Sequence, residues 1–123
     1  MNNLLKYLSL LVFIISGCSF VDPITRAQNY ARKGEFESAV KILSKEYKAK
    51  PNSIPIKSLL AQMYSDYGLA LCQDSNKPPK VKYTLAKEQF AMALSLNPYH
   101  QEAKEMYQTI EKIQESFAKN NVD

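Results

Sequence analysis

The stretch from Tyr30 to Pro51, YARKGEFESAVKILSKEYKAKP, decides the fold, because the chain repeats much of its pattern further on. Positions in and just before its first half recur 34 residues later, where Ala27, Tyr30 and Gly34 return as Ala61, Tyr64 and Gly68. Positions in its second half recur 47 residues later, where Ala39, Leu43 and Pro51 return as Ala86, Phe90 and Pro98. The chain therefore contains one unit twice, and 13 additional residues enter the second copy between Gly68 and Ala86.

A period of 34 residues built from two amphipathic helices is the signature of the tetratricopeptide repeat. The chain resembles that family over Ala27–Pro98, and the segment 85–100, LAKEQFAMALSLNPYH, carries the stronger match. In the family's pattern, small residues stand where two antiparallel helices approach, and aromatic residues fill the adjacent gaps. The resemblance implies an all-α fold of antiparallel helix hairpins, with two repeats and a C-terminal capping helix. The small residues would be Ala27, Ala39, Ala61, Ala86 and Ala93, and the aromatic ones Tyr30, Phe36, Tyr64 and Phe90.

Helix signals in the chain predict five helices. Four of them cover about residues 23–33, 36–49, 79–96 and 99–119, and the third of the five begins after a cap at Ser53 and ends at Asp74. The first repeat departs from the family's pattern at Pro23 and Glu46, so we expect its first helix to be shortened or frayed. Asp22 is the expected N-cap of that helix.

The additional residues lengthen the second hairpin. An apolar stripe continues straight past Gly68, where an ordinary repeat would turn, and the turn formers come only at 74–79. A glycine inside a helix costs about 1 kcal/mol relative to alanine, which the apolar stripe could offset. We expect this hairpin to project beyond the stack, with a basic tip formed by Lys77, Lys80 and Lys82.

The N-terminal segment is typical of a targeting signal rather than of a part of the folded domain. The apolar run at 8–15 is too short for a membrane span, which needs about 20 residues. Ile15-Ser16-Gly17-Cys18 resembles the bacterial lipobox, which implies lipidation of Cys18 and cleavage before it. Ser19, in place of an aspartate, favours the outer membrane facing the periplasm over the inner membrane. An ordinary signal peptide with a chance cysteine is the alternative.

The expected organisation is a signal peptide at 1–17, a lipidated cysteine and tether at 18–22, a helical domain at 23–119 and a loose tail at 120–123. With Cys18 lipidated, Cys72 has no partner in the chain, so we expect it to be buried or half-buried; a disulfide between chains is the alternative. A net charge of +4 without interleaved basic and aromatic residues predicts no nucleic-acid partner.

The motifs of catalysis are not found in this sequence. His100 is the single histidine and follows Asn97-Pro98, where we expect solvent exposure, and the carboxylates are spread at surface spacing. The chain has neither a Gly-rich phosphate loop nor a Ser-centred elbow. We therefore expect no enzyme, no metal, no cofactor and no small-molecule substrate.

The resemblance implies a groove lined by the first helix of each repeat, where partner peptides bind. Its residues here would be Ile24, Gln28, Arg32, Ser58, Gln62, Ser65, Asp66, Glu102 and Glu105. We expect a lipid-anchored periplasmic adaptor for protein–protein interactions, a helper subunit of an envelope assembly of the pilus, secretion or outer-membrane biogenesis type. The alternative is a structural lipoprotein that self-associates through its repeats without a separate client.

Overall fold

The structure of the chain is a computed structural model that describes residues 21–120, and all regular structure in that range is helical. The helices are α1 (Pro23–Arg32), α2 (Phe36–Ala49), α3 (Ile54–Gln73), α4 (Pro79–Leu96) and α5 (Gln101–Asn120). The predicted all-α fold of antiparallel hairpins is confirmed, and the helix packing is compatible with a fragment of a helical repeat. The predicted signal peptide, Cys18 and residues 121–123 lie outside the described range. Asn120, placed in the tail by the sequence, belongs to α5.

The first helix is the shortest of the five, as expected, and it has a well-defined start. The Asp22 carboxylate accepts hydrogen bonds from the N–H groups of Ile24, at 3.0 Å, and Thr25, at 3.1 Å. This confirms the predicted N-cap, with Pro23 in the first turn, where its missing N–H costs nothing. After α1 the chain turns at Gly34, whose φ of +79° lies in the left-handed region that glycine adopts without strain.

The start of α3 also follows its sequence signals. The Ser53 hydroxyl accepts a hydrogen bond from the N–H of Ile56, at 3.4 Å. The helix then continues through Gly68 to Gln73 without interruption, which confirms that the additional residues lengthen the helices of the second hairpin.

Each helix packs against the next one along the chain, and two clusters of buried side chains form the core. The first cluster joins α1, α2 and α3 through Ala27, Ala39, Leu43, Leu60 and Met63. The second joins α3, α4 and α5 through Leu71, Ala86, Phe90, Ala93, Ala103 and Ile110. Tyr64 packs against both clusters, so α3 connects the two halves of the core. Cys72 is half-buried against the second cluster, and burial raises the pKa of its thiol.

Gly68 lies directly against the aromatic ring of Phe90. A Cβ atom at Gly68 would stand 2.8 Å from two carbons of that ring, well inside van der Waals contact. Phe90 is fully buried, so its ring has little room to move away. The close approach of α3 and α4 therefore requires a glycine at this position of α3.

The lengthened hairpin is flanked by its neighbours up to its tip, unlike the projecting arm expected from the sequence. On one side the α1–α2 turn at Gly34 shares a shallow cavity with Tyr67, Asp74 and Lys77. On the other side Ala118 of α5 lies beside Pro79 at the start of α4. The reason is the length of α5, whose 20 residues rise about 30 Å and match the whole of α4.

None of the described helices is long and apolar enough to cross a membrane.

We predict that Gly68→Ala destabilises the fold. Helix propensity alone would stabilise this variant by about 1 kcal/mol, whereas overpacking against a buried ring typically costs about 1–3 kcal/mol. The steric cost should win, which lowers the midpoint of urea unfolding. Adding Phe90→Leu should recover part of the loss, measured as a coupling energy in a double-mutant cycle. A Gly68→Ala variant more stable than the parent would show that the Phe90 ring moves to make room for the added methyl group.

We predict that Asp22 makes stability depend on pH in the acid range. Hydrogen bonds from the hydroxyl and the N–H of Thr25 lower the pKa of Asp22 below its ordinary value. A carboxylate with a lowered pKa stabilises the fold above its unfolded pKa of about 4, and this contribution is lost as pH falls through the folded pKa. Asp22→Asn keeps a capping oxygen and should therefore lose less stability than the parent between pH 5 and pH 3, measured by thermal unfolding. Parallel pH curves for both proteins would contradict this.

Candidate functional site

Side chains of α3 and α5 form a polar surface in which the two helices are joined by hydrogen bonds. The Ser65 hydroxyl donates to a carboxylate oxygen of Glu102 over 3.2 Å. The His100 Nε2 and the Gln62 Oε1 lie 3.1 Å apart, and the Gln62 amide donates to Asp66 over 2.9 Å. We call these five residues the polar face. Two separate sets of hydrogen bonds therefore connect α3 to the start of α5, although the two helices are not consecutive in the sequence.

Four residues of the predicted groove belong to the polar face, and the structure gives one of them an internal role. Ser65 has 0% of its surface exposed, so a partner cannot reach its hydroxyl. Its hydrogen bond fixes the Glu102 carboxylate, which itself is exposed. Ser65 thus positions an exposed carboxylate and makes no direct contact with a partner.

His100 is the member of the polar face that the sequence reasoning missed. Its carbonyl accepts the first helical hydrogen bond, from the N–H of Lys104, so it is the N-cap of α5. Its Nδ1 accepts a hydrogen bond from the N–H of Ala103 over 3.3 Å. Because Nδ1 is an acceptor, Nε2 carries the proton and donates to Gln62. The signal that could have found this role is a polar residue immediately before an amphipathic helix.

The first turn of α5 adds negative charge next to this cap. Glu102 lies there, where the helix dipole favours a carboxylate. Glu105 is exposed and accepts a hydrogen bond from the Gln101 amide over 2.6 Å. Together with Asp66, these side chains give the α3–α5 surface three carboxylates. The surface is therefore suited to accept hydrogen bonds from N–H groups.

The remaining residues of the predicted groove lie outside the polar face. Ser58 is exposed on α3, one turn before Gln62. Gln28 and Arg32 are exposed on α1, where the Arg32 guanidinium donates to Asn29 of the same helix over 2.6 Å. Ile24 is half-buried against the first core cluster. Among the predicted groove residues, Ser65 and Glu102 are thus joined directly across α3 and α5. Glu105 and Arg32 bond within their own helices, and Ile24 packs inward.

The three lysines of the hairpin tip differ in their surroundings. The Lys77 ammonium forms an ion pair of 2.6 Å with Asp74, and this hydrogen bond lowers the pKa of Asp74 and raises the pKa of Lys77. The Lys82 ammonium lies 5.4 Å from the centre of the Tyr83 ring. Lys80 is exposed. One positive charge is therefore balanced locally, and the tip keeps a basic excess.

Among residues 21–120, no group of three histidine, cysteine, aspartate or glutamate side chains is arranged to hold a metal ion. The polar face supplies hydrogen-bond acceptors and negative charge.

No family model, curated protein or solved structure matches the chain. The resemblance to tetratricopeptide repeats stays a prediction from the sequence.

We predict that His100→Ala destabilises the start of α5 while His100→Asn largely preserves it. Loss of an N-cap costs about 1 kcal/mol, and asparagine is among the best capping residues. Amide hydrogen exchange should accelerate at Ala103 and its neighbours in the alanine variant and much less in the asparagine variant. Exchange at Ala103 that is as slow in the alanine variant as in the parent would mean that the imidazole does not cap the helix.

Proposed function

We propose that the chain is a lipid-anchored adaptor of the bacterial envelope that binds a partner protein on the α3–α5 surface. The observation that supports this function best is the polar face, in which the hydrogen bonds of Ser65 and His100 join two non-consecutive helices. Side chains held in this way are preorganised, so less conformational entropy is lost when a partner binds.

The chemistry of the surface indicates what the partner presents. Asp66, Glu102 and Glu105 offer carboxylates within two neighbouring helices, and Gln62 adds amide groups. A peptide segment with lysine or arginine side chains, or with free backbone N–H groups, would satisfy these acceptors. A partner segment with exposed donors is therefore part of the proposal.

The membrane attachment rests on the resemblance of the segment ending at Cys18 to a lipobox. Asp22 caps α1, so only residues 19–21 separate the anchored cysteine from the folded domain. Three extended residues reach about 10 Å. An adaptor on such a tether would meet its partners close to the bilayer surface.

The anchor is tested by the full-length chain with Cys18→Ser in a bacterium that processes lipoproteins. The parent should incorporate a labelled fatty acid and fractionate with the outer membrane, whereas the variant should be unlabelled, because the acceptor thiol is gone. Cys72→Ser is the matched control and should be labelled like the parent. Labelling that persists in Cys18→Ser would overturn the anchor.

The adaptor function is tested by photo-crosslinking in intact cells. A photoreactive amino acid in place of the exposed Ser58 should yield an adduct with another envelope protein, and the same probe in place of Lys45 on α2 serves as the control. Glu102→Gln combined with Glu105→Gln should lower the Ser58 yield, whereas Glu115→Gln should not. An adduct with a second copy of the chain would favour the self-associating alternative, and the absence of adducts at Ser58 would contradict the proposal.

A further inference from the structure

The seam between α1 and α2 holds an open cavity with a basic lining. Its volume is about 280 Å³, and it is lined by Arg26 and Tyr30 of α1 and by Ser38, Lys41 and Ile42 of α2. A guanidinium, an ammonium and two hydroxyl groups thus border one depression. Charged N–H donors and hydroxyl groups of this kind are suited to bind phosphate groups.

Basic side chains continue along α2 beyond this cavity. Lys45 and Lys48 follow Lys41 at intervals of four and three residues, so the three lysines share one face of the helix. All three are exposed, as is Arg26. The ion pairs formed within residues 21–120 involve none of these four side chains. We call Arg26, Lys41, Lys45 and Lys48 the basic end.

The basic end lies at the same end of the first hairpin as the tether. Segments 26–30 of α1 and 38–42 of α2 lie opposite each other, because both line the cavity and the two helices are antiparallel. In this register Pro23 is level with Lys45. Lys48 therefore lies about 5 Å beyond the start of α1, on the side from which the tether leaves.

This position would bring the lysines close to a bilayer. The tether of three residues reaches about 10 Å, and a lysine side chain extends toward the lipid from the last turns of α2. Charges at a surface are felt over about 8 Å at physiological salt. A chain anchored at Cys18 would thus hold the basic end within the electrostatic range of the lipid headgroups.

The net charge of the chain is concentrated in this first hairpin. Residues 22–53 contain seven basic and four acidic side chains, a net charge of +3, whereas residues 54–120 contain eight and seven, a net charge of +1. Two of the acidic groups lie near the basic end. The Asp22 carboxylate is engaged as the cap of α1, and Glu46 is half-buried on α2.

Helix stability accounts for only part of this arrangement. Lys48 lies in the last turn of α2, where the helix dipole favours a positive charge. Arg26 lies in the first turn of α1, where the dipole disfavours one. The position of Arg26 therefore opposes the preference of its own helix, and a ligand with negative charge outside the helix would offset that cost.

We propose that the basic end binds the phosphate groups of anionic lipids in the membrane that carries the anchor. This inference rests on the proposed lipid anchor and adds a second membrane contact. An anchor on a short flexible tether leaves the domain free to rotate, whereas cations on one face hold that face against an anionic surface. Arg26 and Lys41, with the hydroxyl groups of Tyr30 and Ser38, would take one headgroup phosphate in the cavity.

The orientation fixed in this way keeps the polar face away from the lipid. The start of α3 lies at the tether end of the molecule, since α3 follows the end of α2. Ser65, which holds the Glu102 carboxylate, is about 16 Å further along α3 than Ile54. The carboxylates of the polar face are therefore held clear of an anionic surface, and a partner protein can still reach them.

The test uses the full-length chain, produced with a labelled fatty acid in a bacterium that processes lipoproteins and then reconstituted in vesicles. The vesicles contain phosphatidylcholine alone or equal parts of phosphatidylcholine and phosphatidylglycerol. A photoreactive amino acid replaces the exposed Ala49, in the last turn of α2, or the exposed Ser75 at the hairpin tip. The tip is the control position, because Asp74 and Lys77 share a cavity with Gly34, at the end of α1 away from the tether.

The Ala49 probe should form phospholipid adducts in vesicles that contain phosphatidylglycerol and far fewer in phosphatidylcholine, and the Ser75 probe should form few in either. Lys45→Glu combined with Lys48→Glu should lower the Ala49 yield about tenfold, because anionic lipid is then repelled. Added salt should lower it as well, because salt screens these charges.

Lys80→Glu combined with Lys82→Glu is the matched control, with the same charge change at the hairpin tip. It should leave the Ala49 yield unchanged. Circular dichroism of each variant verifies that the helices remain formed.

Several outcomes would overturn the basic end as a lipid-binding surface: equal yields at Ala49 and Ser75, equal yields in the two kinds of vesicle, or a yield insensitive to Lys45→Glu with Lys48→Glu. Competition by inorganic phosphate at constant ionic strength would assign the cavity to free phosphate instead.

The fatty-acid label separates this inference from the anchor on which it rests. A labelled chain without adducts at Ala49 would refute the inference and leave the anchor intact. An unlabelled chain whose adducts still depend on phosphatidylglycerol and on the lysines would refute the anchor and support the basic end. Absence of both label and adducts would refute both.

Discussion

The packing of the Phe90 ring on the backbone of Gly68 fixes how closely α3 and α4 approach. These two helices form the central hairpin. On one side α3 packs against α1 and α2 through the first core cluster, and on the other side α4 packs against α5 through the second. Were α3 and α4 further apart, the alanines that are fully buried along these helices would leave voids, because protein interiors are close-packed. These alanines are Ala61, Ala86 and Ala93. A ring against a glycine thus sets the spacing on which both halves of the core depend.

The additional residues of the second repeat have a consequence at the end of the stack. They lengthen α3 and α4, and α5 is long enough to follow α4 to the tip. The pair α4–α5 consequently presents a longer exposed seam than an unextended hairpin would, and Thr84 and Gln114 lie at the middle of it. The same lengthening places Lys80 at one end of that seam. The exposed seam between α4 and α5 near the tip is therefore a result of the insertion.

The two halves of α5 take part in different surfaces of the molecule. The polar face uses the N-terminal turns of α5, where the helix dipole stabilises Glu102 and the His100 cap orients the first turn. The C-terminal half of the same helix lies along α4, where Gln114 and Ala118 border a cavity together with Pro79 and Thr84. The first surface is rich in hydrogen-bond acceptors, whereas the second is mainly apolar near the tip.

The sequence by itself determined the helices. Periodic apolar residues, caps at Asp22 and Ser53 and the turn residues around Gly34 are local signals, so the boundaries of α2 and α4 agree with those predicted. Only the tertiary structure decided which side chains of these helices contact one another. In the folded chain, Gly68 is required by the close approach of the Phe90 ring, and Ser65 is buried. His100 lies within hydrogen-bond distance of Gln62, and α5 lies along the hairpin that was expected to project. Each of these depends on residues more than 20 positions apart, and their distance in space follows from packing, which no local pattern encodes.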